Sequence, residues 1–511
     1  MSELTPTPAS PQSLPEPQSL PQPQSLPQQG EEQGQTAEAL PAGMPTDVPR
    51  MLGMAQQLIA AGAPEAIQGA AELSHRAIQM LKQQPLDDAD LWNRQLAAAW
   101  IIHGHALREI PAQGAKKAAL KAYDEALAAL AKVPNIVNDE ERNDRANLWT
   151  NRGRTFLEEG TPDALKEAVR CFEQAVELRH ELPVEENPNY RWGLSASLMN
   201  RGDALTRLGE ASGFKEAIAS YDEAIEHLMR LPYEEHAGTR SRLAIALMNR
   251  GITWQSHGTP EAAAKAVDTF EEGIALLQAP SEAIEDEQAG ILSCLLMNHG
   301  NSLMFCEPPD ALRGLDSARK ALDMVAGAER EEPMAAEVGI KARHLTCRLL
   351  AYLLDHPPVG KPLTEDWVTE ATDAADDGME LTRHWNLKGV PHFQPLAGDL
   401  FRFGSRIYQV SQPHFLAEFL LDSIDPERSP GAPARDPYMF HIAGESLWNA
   451  VVEIEKAVPR TKDPEQREAL LEVLAELQQA EVRLSALREQ HLAPEGDTDK
   501  DKAKEPESML V

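Results

Sequence analysis

Two neighbouring stretches decide how this chain folds: Leu194-Ser-Ala-Ser-Leu-Met-Asn-Arg-Gly-Asp-Ala-Leu205 and Glu216-Ala-Ile-Ala-Ser-Tyr-Asp-Glu-Ala-Ile-Glu-His-Leu228. In the second, Ala217, Tyr221 and Ala224 follow at spacings of four and three, which places them on one face of a helix. In the first, Gly202 sits among small and apolar residues, so a second helix can approach closely while the aromatic fills the gap. The arrangement recurs along the chain. Gly104, Gly153, Gly202, Gly251 and Gly300 stand 49 residues apart, in a frame that extends back to Ala55. Ala70, Ala119, Ala168, Ala217 and Ala266 keep the same period, followed by Ser74, Tyr123, Phe172, Tyr221 and Phe270, then by Ala77, Ala126, Ala175, Ala224 and Gly273. The units close on Pro85, Pro134, Pro183 and Pro232, with Pro280 one residue early. This predicts repeated pairs of antiparallel helices: helix A carries the glycine and helix B the alanine–aromatic stripe.

The punctuation between helices agrees. Gly160-Thr-Pro-Asp163 and Gly258-Thr-Pro-Glu261 end one helix on glycine and open the next. There the threonine serves as N-cap, the proline occupies the first helical position and the acid faces the positive helix end. Gly62-Ala-Pro-Glu65 repeats the arrangement.

The pattern of Gly followed by Ala-x3-aromatic-x2-Ala and a closing Pro resembles the tetratricopeptide repeat family. Trp149, Gly153 and Phe156 match that family's helix A, and Ala168, Phe172 and Ala175 its helix B. The units differ in length, 49 residues here against ~34 in the family. The resemblance covers about residues 50 to 330. It implies an all-α fold, an α-solenoid of stacked antiparallel helix pairs (a TPR-like superhelix), with the A helices lining the concave side.

Beyond Gly300 the register decays. Pro309-Asp-Ala-Leu312 still opens a helix B, but Ala318-Arg-Lys-Ala-Leu322 has slipped by one residue. In the last pair, Leu400-Phe-Arg-Phe-Gly404 and Ala417-x3-Leu421 recover the pattern. The expected organisation is a disordered Pro/Gln-rich segment over 1–47, six repeats over 48–330, two divergent pairs over 331–426, a linker over 427–436, a helical hairpin over 437–490 and a disordered charged tail over 491–511. The N-terminal hexapeptide repeat from Pro11 to Gln28 reads as a spacer. In the final hairpin, Leu470, Val473, Leu477, Ala480, Leu484 and Leu487 fall at heptad spacing. They fit either a cap over the end of the stack or a short homodimerisation seam, and the short run favours the cap.

Composition narrows the function. The 511 residues carry 48 Lys and Arg against 81 Asp and Glu, a formal charge of −33. Such a chain repels phosphate backbones and anionic lipid, which argues against nucleic acid and membrane surfaces as partners. Aromatics at 5% with abundant Ala and Leu favour helix over sheet. Cys171, Cys294, Cys306 and Cys347 are isolated, which suits free thiols and a cytoplasmic location rather than disulfides or structural zinc. No apolar run approaches the ~18 residues that span a bilayer, and the N-terminus lacks a signal peptide's basic start and apolar stretch.

The candidate binding residues lie on helix A. Two positions before the glycine stand Asn151, Asn200, Asn249 and Asn298, a ladder offering one donor and one acceptor per unit. Next come His103, Arg152, Arg201, Arg250 and His299, a cationic stripe suited to an acidic or carboxylate-bearing partner. Met199, Met248 and Met297 precede the asparagines and can adapt to a groove or to a core. Each has a plainer reading too. The arginines can pair with acids on the adjacent helix B, such as Asp124, Glu173 or Asp222, and the methionines can simply pack.

Catalytic patterns are poor. Gly209-Glu-Ala-Ser-Gly213-Phe-Lys215 lacks the spacing of a phosphate loop. His103 and His105 are too close on a helix to share a metal face, and Cys294 and Cys306 suit buried thiols. Asp373, Asp376 and Asp377 read as a solvated helix face rather than a calcium loop. Arg383, His384, Trp385, His392 and His441 are scattered and suggest no division of roles. The sequence therefore points to a non-enzymatic, cofactor-free scaffold that binds a protein or peptide on a concave helix A face. The alternative is a ligand- or peptide-sensing regulator whose array controls oligomerisation or a partner.

Overall fold

The computed structural model describes residues 47–492, apart from 113, 134, 234–236, 279–285, 359–364, 391–392 and 434–435. The disorder expected for 1–46 and 493–511 lies outside the described residues, as do Pro134, Pro280 and His392. Among the described residues there are eighteen α-helices and no strand. They form two compact units, the first ending at His257 and the second beginning at Gly258.

In the first unit A and B helices alternate: α1 (Val48–Ala61) and α2 (Pro64–Gln83), α3 (Ala89–Glu109) and α4 (Ala115–Leu130), α5 (Asp139–Glu159) and α6 (Pro162–His180), α7 (Pro188–Leu208) and α8 (Gly213–Met229), then α9 (Ala237–Ser256). Gly104, Gly153 and Gly202 each meet the aromatic predicted for them. A Cβ placed on Gly104 would lie 2.6 Å from the Tyr123 ring, on Gly153 2.7 Å from Phe172, and on Gly202 2.7 Å from Tyr221. Those three rings are buried to 1% exposure or less. Every B helix packs on its own A helix and on the next one, and successive A helices also touch. Successive B helices make no comparable contact, so within this unit the A layer is the more closely packed of the two. Its middle members are enclosed accordingly: α7 is buried continuously from 193 to 200, as expected of a helix flanked on all sides.

The helix junctions are built as their sequence suggests. Gly62, Gly160 and Gly258 adopt φ of 71°, 70° and 73°, the left-handed conformation that glycine enters without a Cβ clash. Thr161 Oγ1 accepts from the Ala164 amide at 3.3 Å, ahead of Pro162 at the first helical position. Thr259 Oγ1 does the same for Ala262 at 3.2 Å. Replacing Thr161 with alanine strands an amide and is expected to cost about 1 kcal/mol in urea unfolding. Thr161→Ser should unfold like the parent, and an equal loss in both would show that the cap is not the cause.

The second unit contains α10 (Pro260–Gln278), α11 (Asp286–Leu303), α12 (Ala311–Val325), α13 (Pro333–Asp355), α14 (Glu365–Leu387), α15 (Gln394–Ser411), α16 (Pro413–Ile424), α17 (Pro437–Ala457), a 3-10 turn at Val458–Arg460 and α18 (Pro464–Leu492). The register slip has a physical cause here. Gly300 faces no aromatic; a Cβ on it would strike the Gly314 carbonyl oxygen at 2.8 Å, and a Cβ on Gly314 would meet the Gly300 oxygen at 3.0 Å. Two glycine backbones in contact replace the glycine–aromatic pair. The last pair needs a correction. Gly404 is met by Phe419, not by a residue at the Leu421 position, with the Phe419 ring 2.5 Å from a Cβ placed on it. Only Gln412 separates α15 from α16, and that short link shifts the facing residue by two. Leu477, Ala480, Leu484 and Leu487 of α18 are buried in the second unit's own core, with Leu470 and Val473 packed against it. The heptad side chains are thus used within the chain.

Candidate partner-binding face

The cationic stripe sits where helix A meets two B helices, and it is occupied. Arg152 Nε donates to Asp124 Oδ1 at 3.1 Å, Arg201 Nη2 to Glu173 Oε1 at 3.2 Å, and Arg250 Nη1 to Asp222 Oδ1 at 3.0 Å. In each pair the acid stands 28 residues earlier, on the helix B of the preceding unit. The arginines reach the other way as well. Arg152 donates to Cys171 Sγ at 3.1 Å, and Arg201 to Ser220 Oγ at 2.8 Å and Glu216 Oε2 at 2.9 Å, both in the unit's own helix B. Arg152 also lies over the Trp149 and Phe156 rings, 5.8 and 4.9 Å from their centroids. His299 continues the series: its Nδ1 is 2.9 Å from Ser317 Oγ and its Nε2 3.5 Å from Glu271. Burial lowers the His299 pKa below its ordinary value, so the ring is neutral at pH 7 and this last contact is not an ion pair. The stripe is a set of clasps between consecutive helix pairs, each partly exposed clasp contributing about 0–1 kcal/mol.

The neighbouring ladder is also enclosed. Asn200, Asn249 and Asn298 are buried at 5–7% exposure and Asn151 is half-buried. Met199, Met248 and Met297 are buried among the helices. Two side-chain atoms of the ladder, Asn249 Oδ1 and Asn298 Nδ2, have no hydrogen-bond partner. Adjacent A helices are instead joined by other polar pairs, each spanning 47 residues: Thr150 Oγ1 with Ser197 Oγ at 3.0 Å, Thr206 Oγ1 with Thr253 Oγ1 at 2.8 Å, and Arg348 Nη2 with Asn301 Oδ1 at 2.8 Å.

A second row, on the other side of the glycine, was not singled out from the sequence. The residue after each glycine is His105, Arg154, Asp203, Ile252 and Asn301. In the first unit, His105, Arg154 and Asp203 are partly exposed yet deeply recessed. Burial and the nearby Arg108 bring the His105 pKa down to about 3. Burial, and again Arg108, lower Arg154 to about 10. Burial raises Asp203 to about 7 against the pull of Arg207. Arg108 is itself buried at 4% exposure; it contacts Glu109, but its Nε and Nη1 have no partner, and neither does the Tyr123 hydroxyl. Glu158 is held by Lys116 at 3.1 Å and Glu109 by Arg108; both acids still favour the charged form of Arg154, though among the described residues none forms an ion pair with it. The signal that could have found this row is variation. Positions fixed by packing repeat from unit to unit, whereas this one changes from imidazole to guanidinium to carboxylate inside a constant frame.

Other candidates separate. His384 Nε2 is 3.0 Å from the Arg330 carbonyl, and His441 is exposed on α17. Asp376 accepts from the Tyr408 hydroxyl at 2.6 Å and Asp377 lies 3.9 Å from Arg343, while both stay on the exposed face of α14. All four cysteines are free, and burial raises the pKa of each. Among the described residues no helix is long and apolar enough to cross a membrane.

No protein-family model matches the chain, and no curated protein does. Among solved structures it is similar to BtubC (BKLC) from P. vanneervenii, at 18% identity over 57% of this chain and 95% of that one, with a TM-score of 0.38. It is also similar to the apo quorum sensor NprR from B. thuringiensis, at 14% identity over 84% and 99%, TM-score 0.41. Aspartyl phosphate phosphatase F from Bacillus subtilis is 12% identical over 89% and 96%, TM-score 0.38. At these scores the likeness is loose.

Proposed function

Because the chain is an array of TPR-like helix hairpins, we propose that it is a non-enzymatic scaffold that seats a carboxylate-bearing protein or peptide along its A-helix layer. Stacked hairpins bury a continuous core and leave an extended inner surface, which is what such arrays offer to partners. The observation that carries the reading is the recess around Arg108 and Arg154. Two guanidinium groups stand there beside a neutral His105, one acid is already paired and the other is drawn away by Lys116. A chain of net charge −33 thus keeps unpaired N–H donors of Arg108 in a desolvated place, where a charged hydrogen bond is strong. In this reading the half-buried Asn151 adds a neutral contact. The Arg152, Arg201 and Arg250 clasps and the buried methionines hold the surface in shape.

The test is the anisotropy of a fluorescent glutamate-rich peptide titrated with the full chain. Arg154→Ala should weaken binding about tenfold, the equivalent of one charge-assisted hydrogen bond, with circular dichroism unchanged. Asn200, Asn249 and Asn298 replaced together by alanine should weaken it less. If Arg154→Ala binds as tightly as the parent, the recess is not the site.

A further inference from the structure

The second unit holds a separate recess between α12, α13 and α14, a cavity of about 430 Å³. Its walls include Asp366, Glu370, Asp373 and Asp377 from one face of α14, with Arg343 and Thr346 from α13. The lone guanidinium on the wall is taken: Arg343 is held by Glu329 through both terminal nitrogens. Glu370 is likewise held, by Arg319. Asp366 and Asp373 have no ion pair among the described residues.

Acidity alone would mark a solvated helix face, as the sequence suggested. Thr346 makes the difference. Its side chain is 1% exposed and lines the cavity, yet its hydroxyl has no hydrogen-bond partner. Buried threonines in the neighbouring helix donate to the carbonyl four residues back, Thr372 to Val368 at 3.2 Å and Thr382 to Gly378 at 2.9 Å. Thr346 leaves that bond unmade, and a buried hydroxyl without a partner is costly. A ligand with N–H groups would satisfy it, and a cationic one would also answer the carboxylates. Among the described residues no three carboxylate, imidazole or thiolate groups converge to hold a metal ion, so the cation that fits is organic.

We propose that this recess binds a primary alkylammonium group, with the ammonium between Asp366 and Asp373 and an N–H reaching the Thr346 hydroxyl. The group could be supplied by a free polyamine or by a lysine side chain. The site is independent of the anion-seating recess of the first unit.

Calorimetric titration of the full chain at low ionic strength decides it, using spermidine in one arm and an acetyl-Gly-Lys-Gly-amide peptide in the other. Binding in either arm should fall about tenfold or more in Asp366→Asn/Asp373→Asn. Thr346→Val should weaken binding several-fold while leaving the melting temperature equal or higher, because an unpartnered buried hydroxyl has been removed. That opposite movement separates a ligand contact from a folding defect. Binding of spermidine alone assigns a free amine, and binding of the peptide assigns a lysine side chain. Equal affinity in parent and variants would mean diffuse attraction to an acidic chain and would overturn the site, as would the absence of binding in both arms.

Discussion

Truncating Phe172 to alanine is expected to destabilise the first unit by about 3–5 kcal/mol, the usual cost of emptying a fully buried aromatic position. The ring has no exposed surface and packs in one cluster with Leu157 and Ala204 of the two neighbouring A helices and with Leu165 and Ala168 of its own helix. Because each hairpin is stabilised by its neighbours, the loss should spread beyond one repeat. The converse substitution tests the same contact from the other side. Gly153→Ala improves helix propensity by about 1 kcal/mol, yet its methyl would stand 2.7 Å from the Phe172 ring. Overpacking of that kind costs about 1–3 kcal/mol, so the net effect is a loss. Adding Phe172→Leu to Gly153→Ala makes room for the methyl, and the double variant should lose less than the sum of the two single changes. Urea unfolding of the four proteins measures this directly. Strict additivity would show that glycine and ring do not constrain each other.

The second large effect is a response to acid. His344 of α13 is buried at 7% exposure, its Nε2 has no partner and its ring stands 5.5 Å from that of Phe403. Burial, reinforced by Arg348 and Arg402, lowers its pKa from 6.5 to about 3. The folded chain therefore cannot take up a proton that the unfolded chain binds below pH 6.5. As pH falls from 6.5 towards 3, stability drops by about 1.4 kcal/mol per pH unit from this residue alone. Asp376, Asp377 and Asp399 work in the opposite sense, since burial raises their pKa values. The His344 contribution is isolated by comparing parent with His344→Gln. Melting temperatures at pH 7 and pH 5 should converge less in the parent, whose fall on acidification is steeper. Parallel falls in the two proteins would exclude His344 as the source.

The helical architecture was legible because close packing repeats its demands. Gly153 needs Phe172 and Gly202 needs Tyr221, so the spacing survives in the letters. The pairing of Arg152, Arg201 and Arg250 with Asp124, Glu173 and Asp222 was readable on the same ground, as one of two readings of that stripe. Where the packing solution changed, the pattern failed. Gly300 against Gly314 has no aromatic to mark it, and Phe419 took the place expected at Leu421 when the link between α15 and α16 shortened. The recess residues were harder still. His105, Arg154 and Asp203 share a position but no chemistry, and Thr346 looks like any helical threonine until its missing bond is seen.

The clasps carry a consequence for how such a chain can lengthen. Every Arg152-type cation reaches back to an acid one unit earlier, so any single unit presents the cation to its predecessor and the acid to its successor. A segment copied in tandem would arrive with both halves already matched to its new neighbours. Growth by duplication therefore requires no new surface to be invented at the joints.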